Sequence, residues 1–168
     1  MSIIKHDFEK MNITKIKQSK NNKKLTVITA YDALFSNLFS KSADMILVGD
    51  SLNMSFMGQS DTLSATLDQM IYHTKAVCNG AKDAFVITDM PFATYINKDE
   101  ALKNCARVYQ ETLASAVKIE GGEDKADIIK HLTSNAIAVM GHIGLMPQYV
   151  RSEGGYKVRG KTLEDEEQ

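Results

Sequence analysis

Five short apolar runs, each rich in β-branched residues, alternate with stretches of helical periodicity along this chain. They are LTVITAY (25–31), MILVGD (45–50), AFVITDM (84–90), SAVKIEG (115–121) and AIAVMGHIG (136–144). Runs that stay apolar throughout, rather than alternating, suit strands covered on both faces, as in a parallel sheet. The intervening stretches predict helices. Asp32 is a natural N-cap for the first, which places Leu34, Leu38 and Phe39 on one side. The second spans about 65–79, with Leu67, Met70, Ile71, Thr74 and Val77 at helical spacing and Gly80 as a stop. The third opens at Asn97, with Glu100 placed as in a capping box, and buries Leu102, Cys105, Tyr109 and Leu113. The fourth carries Ile128, Ile129 and Leu132. Such alternation predicts an α/β fold with a parallel sheet. A doubly wound open sheet and a (βα)8 barrel both satisfy it. No GxGxxG or P-loop pattern follows any strand, which weighs against the nucleotide-binding forms of the open sheet.

The 168 residues, 43% of them hydrophobic, suffice for one domain: a lysine-rich N-terminal arm over 1–24, then strand–helix units over 25–168. Thr162 and Asp165 read as the opening of a fifth helix. A complete barrel needs about 250 residues. The barrel reading therefore predicts five βα units, with the chain stopping short of closure. A net charge of −1 gives no field that favours nucleic acid or a membrane surface. The seven lysines of the arm read as a solvated, partly helical face. The first residues lack the apolar core of a signal peptide, and no run approaches the roughly 20 apolar residues of a bilayer span. Cys78 and Cys105 lie inside helical patterns without ligand spacing, which predicts buried or half-buried thiols in a cytoplasmic protein rather than a disulfide.

The strand ends carry the chemistry. The first run ends at Asp32, the second at Asp50 and Ser51, and the third at Asp89. The fourth holds Lys118 and Glu120, and the fifth ends at His142. Ligands of parallel α/β folds bind at the carboxyl ends of strands. Taken singly these residues have ordinary explanations: Asp32 a helix cap, Asp89 a turn former, His142 a core histidine. Taken together they suggest a site. Two carboxylates 4 Å apart repel by about 4 kcal/mol at an effective dielectric near 20. Asp50, Asp89 and Glu120 at one mouth would need a counter-charge or shared protons. Oxygen ligands suit a hard cation such as Mg2+, completed by water or substrate, and no Cys/His cluster points to zinc. Lys118 faces the same side of the sheet as Glu120 and can hold a carboxylate-bearing substrate.

TAYDALFS (29–36), VGDSLNM (48–54), YHTKAV (72–77), TDMPFATY (88–95), VKIEGGE (117–123), MGHIGLMPQ (140–148) and GGYKVRG (154–160) resemble, in order and near its spacing, the ketopantoate hydroxymethyltransferase family. The resemblance runs from about residue 12 to residue 162. It implies a (βα)8 barrel that transfers a one-carbon unit from 5,10-methylenetetrahydrofolate to 3-methyl-2-oxobutanoate, giving 2-dehydropantoate. It implies that Asp50, Asp89 and Glu120 bind Mg2+. It also implies that Asp50, Ser51, Asp89 and Lys118 contact the oxo acid, and that His142 lines the site. An oxo acid chelated by Mg2+ loses its C3 proton more readily and attacks the folate-borne methylene as an enolate. The family's general base is a glutamate on a later strand, expected beyond Gln168, so no catalytic base is assigned here. The family is cytoplasmic and homo-oligomeric, commonly of ten subunits, with no membrane or nucleic-acid partner. Asn53 stands where the family has glycine, which asparagine's tolerance of left-handed geometry would excuse. Ser64 replaces proline, Cys78-Asn79 a basic pair, Met146 a threonine and Arg159 a glutamine. Two other readings remain beside this one: a Mg2+-enolate barrel of the isocitrate lyase type, and a non-catalytic remnant that binds or assembles without chemistry.

Overall fold

The computed structural model describes residues 10–156. The helix expected at Thr162 and Asp165, Arg159 and the last four residues of GGYKVRG lie outside them. All five strands form: β1 (Val27–Thr29), β2 (Met45–Val48), β3 (Phe85–Asp89), β4 (Ala116–Glu120) and β5 (Val139–His142). Every pairing is parallel and the sheet order is β1-β2-β3-β4-β5. Successive strands are thus neighbours, as in a barrel. A doubly wound sheet would reverse its order at a switch point.

The helices are α1 (Ile13–Ser19), α2 (Ala33–Phe39), α3 (Leu52–Ser55), α4 (Leu67–Gly80), α5 (Lys98–Glu111) and α6 (Ala126–Ser134). Polar side chains start several of them by accepting from exposed backbone N–H groups. Asp32 accepts from the Phe35 N–H, and Asn97 from the Glu100 N–H. The complete capping box sits elsewhere, on α4, where Thr66 and Gln69 satisfy each other's backbone.

Alternation along the strands makes two faces. Ile46, Val48, Val86, Val117 and Ile119 point out into two helix-covered cores, which α4, α5 and α6 complete with Met70, Val77, Cys105, Val108, Ile128 and Leu132. Met45, Phe85, Ile87 and Ala116 point the other way, packed by Leu47, Ala138 and Met140. Met11, Ile16 and Leu25 close this inner layer at the amino ends of the strands. The N-terminal arm is therefore partly helical, as expected, and its apolar residues have a packing role.

Two packing expectations fail for identifiable reasons. Leu34 and Leu38 are 77% and 59% exposed, because α2 meets α4 through Ser36, whose hydroxyl donates to the Val77 carbonyl. Leu113 is exposed because α5 has already ended at the Thr112 cap. Gly80 ends α4, as the sequence predicts, and a Cβ there would lie 2.1 Å from the Ala33 carbonyl oxygen. Its reason is the close approach of α2. Cys78 and Cys105 are free and buried as expected, and burial pushes the Cys105 thiol up to about 12.

Candidate active site at the strand carboxyl ends

The inner face changes character along its length. On β3 it reads Phe85, Ile87, Asp89, and on β4 Ala116, Lys118, Glu120. The lower layer is apolar and the upper one charged. Register then sets the contacts: Asp89 is the cross-strand partner of Lys118, and Glu120 that of His142. Lys118 Nζ lies 2.7 Å from Asp89 Oδ1, 3.8 Å from Glu120 Oε1 and 3.3 Å from His142 Nδ1. His142 Nδ1 is in turn 3.3 Å from Glu120 Oε1.

Asp50 joins from the turn after β2. Its backbone N–H donates to Asp89 Oδ2 at 3.1 Å. Gly49 makes this approach possible, since a Cβ there would lie 2.8 Å from Ser51 Oγ and 3.5 Å from Asp89 Oδ2. Ser51 Oγ shares a 2.8 Å hydrogen bond with the Tyr31 hydroxyl. All the residues expected at the site are therefore brought together: Asp50, Ser51, Asp89, Lys118, Glu120 and His142. Asp32 is not among them and serves as the cap of α2.

Asp50, Asp89 and Glu120 are 3%, 4% and 2% exposed, so each pays for lost hydration when ionised. Burial raises all three above ordinary carboxyl values, and Asp89, with Asp50 beside it, is pushed up to about 7 despite Lys118. Burial and the Lys118 charge both lower His142. One ammonium thus faces three buried carboxyls, and the site is short of positive charge. Asp89 Oδ1 is buried and makes no hydrogen bond, its approach to Lys118 being an ion pair without hydrogen-bond geometry. Such an oxygen fits a hard cation. Among the described residues no three His, Cys, Asp or Glu side chains close into a ready ligand set. Mg2+ commonly takes one or two carboxylates and keeps water or substrate oxygens for the rest.

Gln148 closes the MGHIGLMPQ motif, and its place in the sequence gives it no role of its own. It is buried at the centre of the cluster and touches both Asp50 and Glu120. No strand pattern marks it, because it sits in a 3-10 turn (Pro147–Tyr149) beyond β5. On its other side lies a cavity of about 190 Å3 walled by Phe92, Tyr95, Ile96, Lys125 and Tyr149.

Parallel βα units in barrel order, with charged side chains gathered at the strand carboxyl ends, define a (βα)8-barrel enzyme. The fold is shared with phosphonopyruvate hydrolase, solved in complex with oxalate and Mg2+ (TM-score 0.65, 12% identity, covering 86% of this chain and 56% of that one). It is also shared with 2,3-dimethylmalate lyase, of the PEP mutase/isocitrate lyase superfamily (TM-score 0.57, 18% identity, 76% and 51%). The family model for ketopantoate hydroxymethyltransferase matches residues 10–168, and the chain belongs to that family. It is 86% identical over all 168 residues to a 3-methyl-2-oxobutanoate hydroxymethyltransferase of Aliarcobacter butzleri, and 55% identical over 166 residues to one of Helicobacter pylori. The chain spans 62% of the length of each of these two relatives.

Proposed function

We propose that the whole protein transfers a hydroxymethyl group from 5,10-methylenetetrahydrofolate to 3-methyl-2-oxobutanoate, with Mg2+ at this mouth, and that this chain supplies the cation and oxo-acid half of the site. The observation that carries the reading is the gathering of Asp50, Asp89, Lys118 and Glu120 at the carboxyl ends of β2, β3 and β4, with Lys118 against Asp89 and Glu120 and the Asp50 backbone N–H against Asp89. Asp50 and Asp89 would hold the cation directly, with Glu120 beside them. A bound Mg2+ supplies Lewis acidity toward the carbonyl oxygen of the oxo acid. Lys118 provides the charge that orients the substrate carboxylate, and the Ser51 hydroxyl, already directed by Tyr31, offers a further hydrogen bond. His142, held near neutrality by burial and by Lys118, lines the mouth without adding charge. Phosphonopyruvate hydrolase, which shares this fold, is solved with oxalate, a small dicarboxylate, and Mg2+.

The carboxyls at the mouth are already engaged: Asp50 by Gln148, Asp89 by Lys118, Glu120 by Gln148 and His142. We assign removal of the C3 proton to none of them. The 168-residue chain is therefore expected to bind the oxo acid but to turn over little or not at all. We place the full-length protein in the cytoplasm as a homo-oligomer. The exposed apolar residues Leu34, Phe35 and Leu38 on α2 support assembly, and no described helix is long and apolar enough to cross a membrane.

Calorimetric titration with 3-methyl-2-oxobutanoate tests the reading. Binding should require Mg2+ and be lost in Asp89→Asn. Binding that is indifferent to the cation would overturn the metal assignment. Folate-dependent turnover by the chain alone would overturn its expected inactivity. A non-catalytic remnant would show the same binding, and supplying the rest of the barrel in trans without restoring turnover would favour that second reading.

A further inference from the structure

Gln148 uses every polar group of its side chain. Nε2 donates to Asp50 Oδ2 at 2.8 Å and to the Met90 carbonyl at 2.9 Å. Oε1 accepts the Tyr95 hydroxyl, and the backbone N–H of Gln148 donates to Glu120 Oε2 at 3.1 Å. Each polar end of the amide is committed. Turned over, it would set an oxygen against two acceptors and an NH2 group against a donating hydroxyl. Burial holds the Tyr95 hydroxyl in its protonated, donating form. The partners come from the ends of three successive strands: Asp50 after β2, Met90 after β3 and Glu120 at the end of β4. Gln148 itself lies beyond β5. One residue thus ties together the ends of four βα units.

The chemistry here needs a neutral side chain with this shape. A glutamate would repel Asp50 and could not donate to Met90. A methionine would fill the volume and keep the backbone N–H on Glu120, but could donate to neither Asp50 nor the Met90 carbonyl. An asparagine, one methylene shorter, would not reach both ends of the network. We propose that Gln148 is the positioning residue of the cation site, bracing Asp50 against Glu120 so that the carboxylates keep the spacing a divalent cation needs. The inference rests on the cation reading above. It assigns Gln148 no contact with the cation or the substrate. Its action is through Asp50 and Glu120, and Tyr95 acts in turn by fixing the amide's orientation.

Mg2+ titration by calorimetry tests this on the 168-residue chain, its Gln148→Met variant, its Tyr95→Phe variant and the double variant, with melting temperatures taken in chelator. Gln148→Met should weaken Mg2+ binding about tenfold or more, and Tyr95→Phe two- to threefold. In the double variant the tyrosine change should add nothing further, because its effect passes through the amide. A merely structural role would lower the melting temperature and leave Mg2+ affinity at the wild-type value, and that result overturns the proposal. Should Gln148→Met not fold, Tyr95→Phe decides alone, and unchanged affinity in that variant overturns it. Absence of Mg2+ binding by the wild-type chain overturns the cation reading and this inference together. Equal binding by wild type and Gln148→Met overturns this inference only.

Discussion

Lys118 faces three buried carboxyls, and the space that lets them converge is set by a residue without a side chain. A methyl group on Gly49 would meet Ser51 Oγ at 2.8 Å. Relief requires Ser51 to swing off the Tyr31 hydroxyl, which removes a hydroxyl from the mouth. Gly49→Ala is therefore expected to cost about 1–2 kcal/mol of stability through overpacking. It should also weaken oxo-acid binding roughly tenfold, or about 1.4 kcal/mol. Calorimetry and thermal melting measure both, and wild-type affinity would count against the crowding argument. Asn53 shows where residue-level reading went astray. The left-handed backbone invoked for it is absent: it lies in α3, and the non-glycine residues with positive φ among those described are Asn21, Ala93 and Ala136. Its amide instead donates to the Asp61 carbonyl at 3.0 Å and to Ser64 Oγ at 2.8 Å. Asn53 and Ser64, two positions where the resemblance leads one to expect other residues, are thus partners. Asn53→Ala should cost about 1–3 kcal/mol as buried groups lose their partners. Ser64→Ala should cost less in that background than alone, since residues in contact are commonly coupled by about 0.5–3 kcal/mol. Additive losses in a denaturation cycle would break the pairing. The acidic residues and Lys118 were legible because strand ends advertise them. Gln148 was not, since its importance comes from a turn that brings residue 148 to residue 50.

Elements were legible as far as their signal was local. The cap residues Asp32 and Asn97 and all five strands stand where the sequence puts them, though the paired segments are shorter than the apolar runs. The buried face of α2 was not legible, because leucine at helical spacing says nothing about how near the neighbouring helix comes. That distance is set by Gly80 and Ser36. Gly80→Ala should therefore force the α2 and α4 backbones apart, costing about 1–3 kcal/mol where an ordinary helix-end change would be nearly neutral. A melting temperature equal to wild type would refute the close approach. The start of β1 depends on a different device. Asp44 accepts from the Thr26 N–H at 2.8 Å, its hydroxyl at 3.0 Å and Lys23 Nζ at 3.0 Å, and its own N–H donates to Thr26 Oγ1 at 3.1 Å. The Thr26 backbone hydrogen bond, ahead of Lys23, holds the Asp44 carboxyl below its ordinary value of 3.8. A depressed carboxyl contributes stability that is fully present above the unfolded value and is lost as pH falls through the folded one. Asp44→Ala should destabilise the chain at neutral pH and flatten its acid dependence below about pH 4. Parallel melting curves for the two proteins across that range would exclude the staple.

At the scale of the molecule, the alternation of strands and helices determined the class but not the closure. An open doubly wound sheet and a barrel share the local pattern, and only long-range pairing separates them. The resemblance to a known family pointed to the barrel, and the sequential strand order agrees. That order leaves β1 and β5 with one neighbour each among the described residues. Val27 on β1 is 45% exposed and Ile143, just past β5, is 75% exposed, whereas β3, paired on both sides, is buried at every position. Unpaired backbone groups beside exposed apolar side chains form a template for another strand. The 168-residue chain in isolation is therefore expected to self-associate as concentration rises. A charge on the free edge opposes such pairing without touching the mouth, because Val27 lies at the amino end of β1, opposite the cluster. Val27→Lys should shift the sedimentation profile toward monomer while leaving Mg2+-dependent oxo-acid binding intact. A wild-type chain that sediments as one monomeric species at every concentration and melts cooperatively would mean that its sheet edges are protected by something other than strand pairing.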